Sequence, residues 1–103
     1  MSLESFQLNG RNAVVTGSHR GLGGAIAIAL GEAGANVGCH GRDPKPGRAC
    51  DELRALGKKT FYFAGDVADP KVCSGLIEKT VDEFGSIDIL VNNAGMKIGR
   101  AHV

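Results

Sequence analysis

One stretch constrains this chain more than any other: Thr16-Gly17-Ser18-His19-Arg20-Gly21-Leu22-Gly23. Before it, Asn12 leads into the short apolar run Ala13-Val14-Val15-Thr16, which reads as a buried strand because glycines end it. After it, Leu22, Ile26, Ala29, Leu30 and Ala33 recur at helical spacing. Gly34 follows at a position where a helix end can turn left-handed without steric cost. A glycine loop between a strand and a helix lets the backbone turn sharply and lets an anion come close. The helix then points its free N–H groups and positive dipole end at that anion. The spacing Gly-x-x-x-Gly-x-Gly is not a P-loop, since no Gly-Lys-Ser/Thr follows, and it also differs from Gly-x-Gly-x-x-Gly. A plain tight turn with helix–strand packing would use the same glycines. The setting inside a strand–helix–strand unit favours a pyrophosphate site.

The rest of the chain repeats that alternation. Ala35 to His40 is a second strand candidate, and Gly41 to Gly47 is a loop in which Pro44 and Pro46 bar regular structure. Arg48 to Leu56 reads as a helix with Cys50, Leu53 and Leu56 on one face and Gly57 as its stop. Thr60-Phe61-Tyr62-Phe63-Ala64 is rich in strand formers. Asp69-Pro70 is a helix start, an N-cap acid followed by proline at N1. Val72, Cys73, Leu76, Ile77, Thr80 and Phe84 then line one helical face up to Gly85. Ile87 to Val91 is the last strand. The order βαβαβαβ requires parallel strands, because each crossover carries a helix. Right-handed crossovers place helices on both faces of an open, doubly wound α/β sheet.

Composition closes off other classes. A chain of 103 residues has room for one small domain. Twelve Lys+Arg against eleven Asp+Glu give a net charge of +1, which supports neither a nucleic-acid nor a membrane-surface partner. The three cysteines, Cys39, Cys50 and Cys73, are odd in number and lack a Cys-x-x-Cys pair. They read as buried or half-buried apolar residues, neither a disulfide framework nor a metal site. Met1 to Asn12 has no apolar signal segment, and the longest apolar run, Ala25 to Leu30, is too short to span a bilayer. A soluble, cytoplasmic protein is expected.

The end of the second strand bears on the type of dinucleotide. In an NAD site an acid about 20 residues past the glycine motif holds the ribose 2′-OH. Gly41 stands there instead, followed by Arg42, while Arg20 lies in the glycine loop itself. Two guanidinium groups without an acid between them suit a 2′-phosphate, which favours NADP over NAD. Asp43 stands next to Arg42 and offers it an ion-pair partner, which would leave Arg42 an ordinary solvated arginine.

Three motifs in order, Thr16-Gly17-x-x-x-Gly21-x-Gly23, Asp66-Val67 and Asn92-Asn93-Ala94-Gly95, resemble those of the short-chain dehydrogenase/reductase family. The likeness runs from about Phe6 to Met96. It implies a Rossmann-type fold, here truncated after the fourth strand, and a nicotinamide cofactor. By family pattern Gly17, Ser18, His19, Arg20, Gly21, Leu22 and Gly23 would wrap the pyrophosphate and ribose. Arg42 would take the 2′-phosphate. Asp66 and Val67 would line the adenine pocket, with the Asp66 carboxylate accepting from the adenine amine. Asn93 would approach the cofactor ribose, and Asn92, Asn93, Ala94 and Gly95 would brace the sheet.

The family's chemistry uses a Ser, a Tyr and a Lys, the last two spaced Tyr-x-x-x-Lys. The only tyrosine here, Tyr62, is followed four residues on by Asp66 and reads as core. No catalytic residue is therefore assigned. Residues 1–96 read as an incomplete dinucleotide-binding domain. Ile98 to Val103 back-translate as ATC GGA AGA GCA CAC GTC, with TGA next in that string, which matches a common sequencing adapter. Residues 97–103 are accordingly expected to be an assembly artefact. The resulting expectation is the cofactor-binding part of an NADP(H)-favouring oxidoreductase that interconverts a carbonyl and an alcohol. Its parent would act on a polyol, a sugar acid or a 3-oxoacyl thioester and form a homo-oligomer. The chain alone is expected to bind NADP(H) weakly or not at all and to turn over no substrate. The alternatives are a non-catalytic dinucleotide-binding or interaction module and a gene fragment without function.

Overall fold

The computed structural model describes residues 7–94. Gly95, and the reading of residues 97–103, fall outside the described residues. The elements run β1 (Asn12–Thr16), α1 (Gly21–Glu32), β2 (Asn36–Gly41), α2 (Arg48–Ala55), β3 (Thr60–Ala64), α3 (Pro70–Phe84) and β4 (Ile89–Asn92). All strand pairings are parallel, in the order β3-β2-β1-β4. The βαβαβαβ alternation thus forms the Rossmann-like sheet that the sequence predicts. Strand order reverses about β1, so the crevice at the carboxyl ends of β1 and β4 is a topological switch point.

The two faces of β1 show why the helices divide. Ala13 and Val15 point to one side and Val14 to the other, as the two-residue strand period demands. Ala13 and Val15 join Ala27 of α1, Val37 and Cys39 of β2, and Cys50 and Leu53 of α2 in the larger core. Val14 packs with Phe61 and Leu76 in a smaller core beneath α3. The start of α3 follows its local signals. Asp69 accepts a hydrogen bond from the Lys71 N–H at 2.9 Å, and Pro70 sits at the first helical position. Gly85, at φ 92°, closes α3 in the left-handed conformation.

Several apolar positions differ from their sequence reading. The buried stripe of α1 is Gly23, Gly24, Ala27 and Gly31, not the larger apolar residues, and Leu22 is 66% exposed. A Cβ on Gly31 would collide with the Leu53 side chain, so α1 meets α2 at a contact only glycine allows. Leu56 caps α2 and is exposed, and Ile77 of α3 also faces outward. Cys73 is exposed, whereas Cys39 and Cys50 are buried. The hydrogen bond with Cys50, followed by burial, pushes the Cys39 thiol up, which keeps it protonated. Tyr62 is only half-buried, at the margin of the larger core. Among the described residues no helix is long and apolar enough to cross a membrane, and no cluster of His, Cys, Asp and Glu could hold a metal.

Candidate cofactor site

The glycine loop is fixed from below before it meets any ligand. Gly17 takes φ 63° and Gly21 φ 64°, left-handed values at which a side chain is strained. A Cβ on Gly23 would run into the Gly17 carbonyl oxygen, so the first turn of α1 lies directly against the loop. Ser18 is fully buried. Its hydroxyl donates to Val15 O at 2.7 Å and accepts from His40 N at 2.9 Å, while its own N–H donates to His40 O at 2.7 Å. The Ser18 side chain therefore staples the loop to β2. The α1 N–H groups that lack an intrahelical partner open from the start of this helix, with Arg20 as its N-cap.

The end of β4 closes the other wall. Thr16 Oγ1 donates to Asn92 Oδ1 at 3.1 Å and accepts from Ala94 N at 3.0 Å. Asn93 Nδ2 donates to Gly17 O at 3.1 Å. The turn after β4 and the glycine loop are thus one hydrogen-bonded unit.

Between them and the end of β2 lies a cleft of about 410 Å³, lined by Gly17, His19, Arg20, His40, Gly41, Arg42, Asp43 and Ala94. Five of the residues named from sequence line it: Gly17, His19, Arg20, Arg42 and Ala94. Asn93 and Gly23 support it through Gly17, and Gly21 opens α1 beside it. Leu22 stands out in solvent. Val67 packs at the margin of the smaller core. Asp66 reaches the site through Arg42, whose guanidinium lies 3.7 Å from its carboxylate. Arg42 does not pair with Asp43, which instead faces His19 at 3.7 Å. That separation exceeds a hydrogen bond, and neither ring nitrogen of His19 is hydrogen-bonded among the described residues. Arg42 is 80% exposed on its side chain, so the ion pair holds it weakly and leaves it free to turn toward an anion.

Two residues of the site carry no site role in the sequence reading. His40 is fully buried and joins the glycine loop to the end of β3. A histidine in the otherwise apolar run Val37-Gly38-Cys39 was the available signal. Tyr62 donates its hydroxyl hydrogen to Asp43 O at 2.6 Å and so anchors the turn that carries Arg42. Burial, then the Asp43 carboxylate, pushes the Tyr62 phenol up and keeps it a donor.

A family model described as short chain dehydrogenase matches residues 11–102. The chain belongs to the short-chain dehydrogenase family. This short-chain dehydrogenase chain is 42% identical over 96 residues to an uncharacterised oxidoreductase of Mycobacterium tuberculosis, covering 92% of this chain and 36% of that one. It is 40% identical over 97 residues to the 2-dehydro-3-deoxy-D-gluconate 5-dehydrogenase of Dickeya dadantii, covering 93% and 38%. Among solved structures it is similar to a Brucella melitensis 3-oxoacyl-[acyl-carrier protein] reductase in complex with NAD, at a TM-score of 0.76 and 39% identity, covering 87% and 35%. The chain thus spans less than two fifths of the length of these family members.

Proposed function

We propose that this chain is the nucleotide-binding part of an oxidoreductase that interconverts a carbonyl and an alcohol, with NADP(H) favoured over NAD(H). When bound, the nicotinamide ring supplies or accepts the hydride. The residues present fit a dinucleotide. Gly17 and Gly23 leave no room for side chains in the loop, and the α1 N-terminus favours a pyrophosphate. By this reading Gly17–Gly23 take the pyrophosphate, Asp66 and Val67 the adenine end, and Asn93, Ala94 and Gly95 the ribose next to the ring.

One observation carries the preference for NADP. A Cβ at Gly41 would collide with the Tyr62 hydroxyl and lie 2.6 Å from His19 Cβ. Position 41 at the end of β2 therefore leaves no space for an acid of the kind that holds a ribose 2′-OH in NAD sites. Arg42 and Arg20 line the same cleft and offer forked donors to a 2′-phosphate. The sequence lacks Tyr-x-x-x-Lys, so the 103 residues alone are expected to turn over no substrate. The relatives' names support a sugar acid or a 3-oxoacyl thioester as substrate of the whole protein.

The test is Arg42→Asp, read as affinities for NADPH and NADH by amide-shift titration, which records weak binding. Losing one charge-assisted contact at an exposed site should weaken NADPH about tenfold and leave NADH unchanged or tighter. Unchanged NADPH affinity would remove the 2′-phosphate assignment.

A further inference from the structure

His40 lies at the end of β2, is 0% exposed, and hydrogen-bonds with its ring to no core side chain. Gly17 N donates to its Nδ1 at 3.0 Å, and its Nε2 lies 2.7 Å from Gly65 O. A backbone N–H can only donate and a carbonyl oxygen can only accept. The two partners therefore dictate a neutral ring with a lone pair on Nδ1 and the proton on Nε2.

The position of those partners gives the ring its meaning. Gly17 opens the glycine loop after β1, and Gly65 precedes Asp66 after β3. β1 and β3 flank β2 and share no ladder hydrogen bonds, since the sheet order is β3-β2-β1. Their loops stand about 10 Å apart, two strand spacings. The backbone of β2 links to each one separately, through Ser18 N to His40 O and Gly65 N to Gly41 O. Among the described residues the imidazole alone spans both loops with a single rigid group.

We propose that His40, as the Nε2–H tautomer, is a positioning residue that locks the glycine loop to the Gly65–Asp66 turn and so presets the two ends of the dinucleotide site. The effect on cofactor rests on the reading given above; the lock itself does not. An apolar residue at position 40 would leave the Gly17 N–H and the Gly65 carbonyl without their shared partner. Glutamine carries an acceptor and a donor on one carbon and can replace both bonds.

The test uses the 103-residue chain labelled with ¹⁵N. The ring-nitrogen shifts should report a bare Nδ1 and a protonated Nε2, with a through-hydrogen-bond coupling between Gly17 N and Nδ1. A protonated Nδ1, or no coupling, overturns the lock. In His40→Leu, the amides of Gly17–Gly21 and of Gly65–Val67 should shift together, and NADPH affinity should fall about tenfold, one uncompensated buried donor. His40→Gln should return the affinity to within about threefold of the parent, since both hydrogen bonds can re-form. A folded Leu variant with parental affinity refutes the positioning role. If the Leu variant does not fold, the Gln variant decides, and a folded Gln variant weakened about tenfold also refutes it. If the parent chain takes up no NADPH, the ring-nitrogen experiment and the joint amide shifts of the Leu variant still decide the lock.

Discussion

Helices α1 and α3 cover opposite faces of one sheet by opposite means. α1 buries Gly23, Gly24, Ala27 and Gly31, so its backbone approaches β1, the glycine loop and α2 closely. α3 buries Leu76 and Thr80 and reaches the sheet through ordinary side chains, with Phe63 and Phe84 packed at the margin. The buried α1 face is set by close backbone contact, and that closeness brings the helix N-terminus to the cleft. The α3 side is filled by volume and carries no cleft-lining residue. Positioning for function and packing for stability are therefore divided between the two faces.

Three substitutions test that division. Leu76→Ala removes the main apolar anchor of α3 and should cost about 2–5 kcal/mol in urea unfolding, with little change in the glycine-loop amide shifts. Gly23→Ala places a methyl against the Gly17 carbonyl and should cost about 1–3 kcal/mol. Its larger consequence lies in the site: the amides of Gly17, Asn93 and Ala94 should move, because Asn93 Nδ2 also lies 2.7 Å from that Cβ position. Leu22→Ala should change stability by less than about 0.5 kcal/mol, since Leu22 projects into solvent. If Leu22→Ala cost more than Gly23→Ala, the glycine stripe would not be the packing face of α1.

The same contrast explains what could be read from the chain. α3 is legible because its signals are local: Asp69-Pro70 at the start, Gly85 at the end, and Leu76 and Thr80 at helical spacing. The face of α1 is not, because its burial depends on smallness, and hydrophobic periodicity points instead at Leu22 and Ala29, which are exposed. The strand order and the glycine loop follow from alternation and spacing. The pairing of Arg42 with Asp66 in place of Asp43 depends on how β2 and β3 end side by side, and so does the reach of His40. Tyr62 reads as core because it lies in a strand segment, yet its hydroxyl extends to the Asp43 carbonyl at the sheet's edge. Cys73 occupies an apolar position of the α3 pattern but faces solvent.

The edge strand β4 marks a second limit of the local pattern. Ile89 and Val91 pack against the larger core, whereas Leu90 is 57% exposed on the α3 face. Apolar alternation marks β4 as a strand, but what covers each face is a matter of the elements around it.

The most direct test of the account is an amide-shift map of the ¹⁵N-labelled chain titrated with NADPH and, separately, with NADH. Shifts should gather at Gly17–Gly23, Arg42, Asp66, Asn93 and Ala94, with NADPH binding the tighter of the two. Shifts centred elsewhere, or NADH binding the tighter of the two, would contradict the assignment of this cleft as an NADP-favouring dinucleotide site.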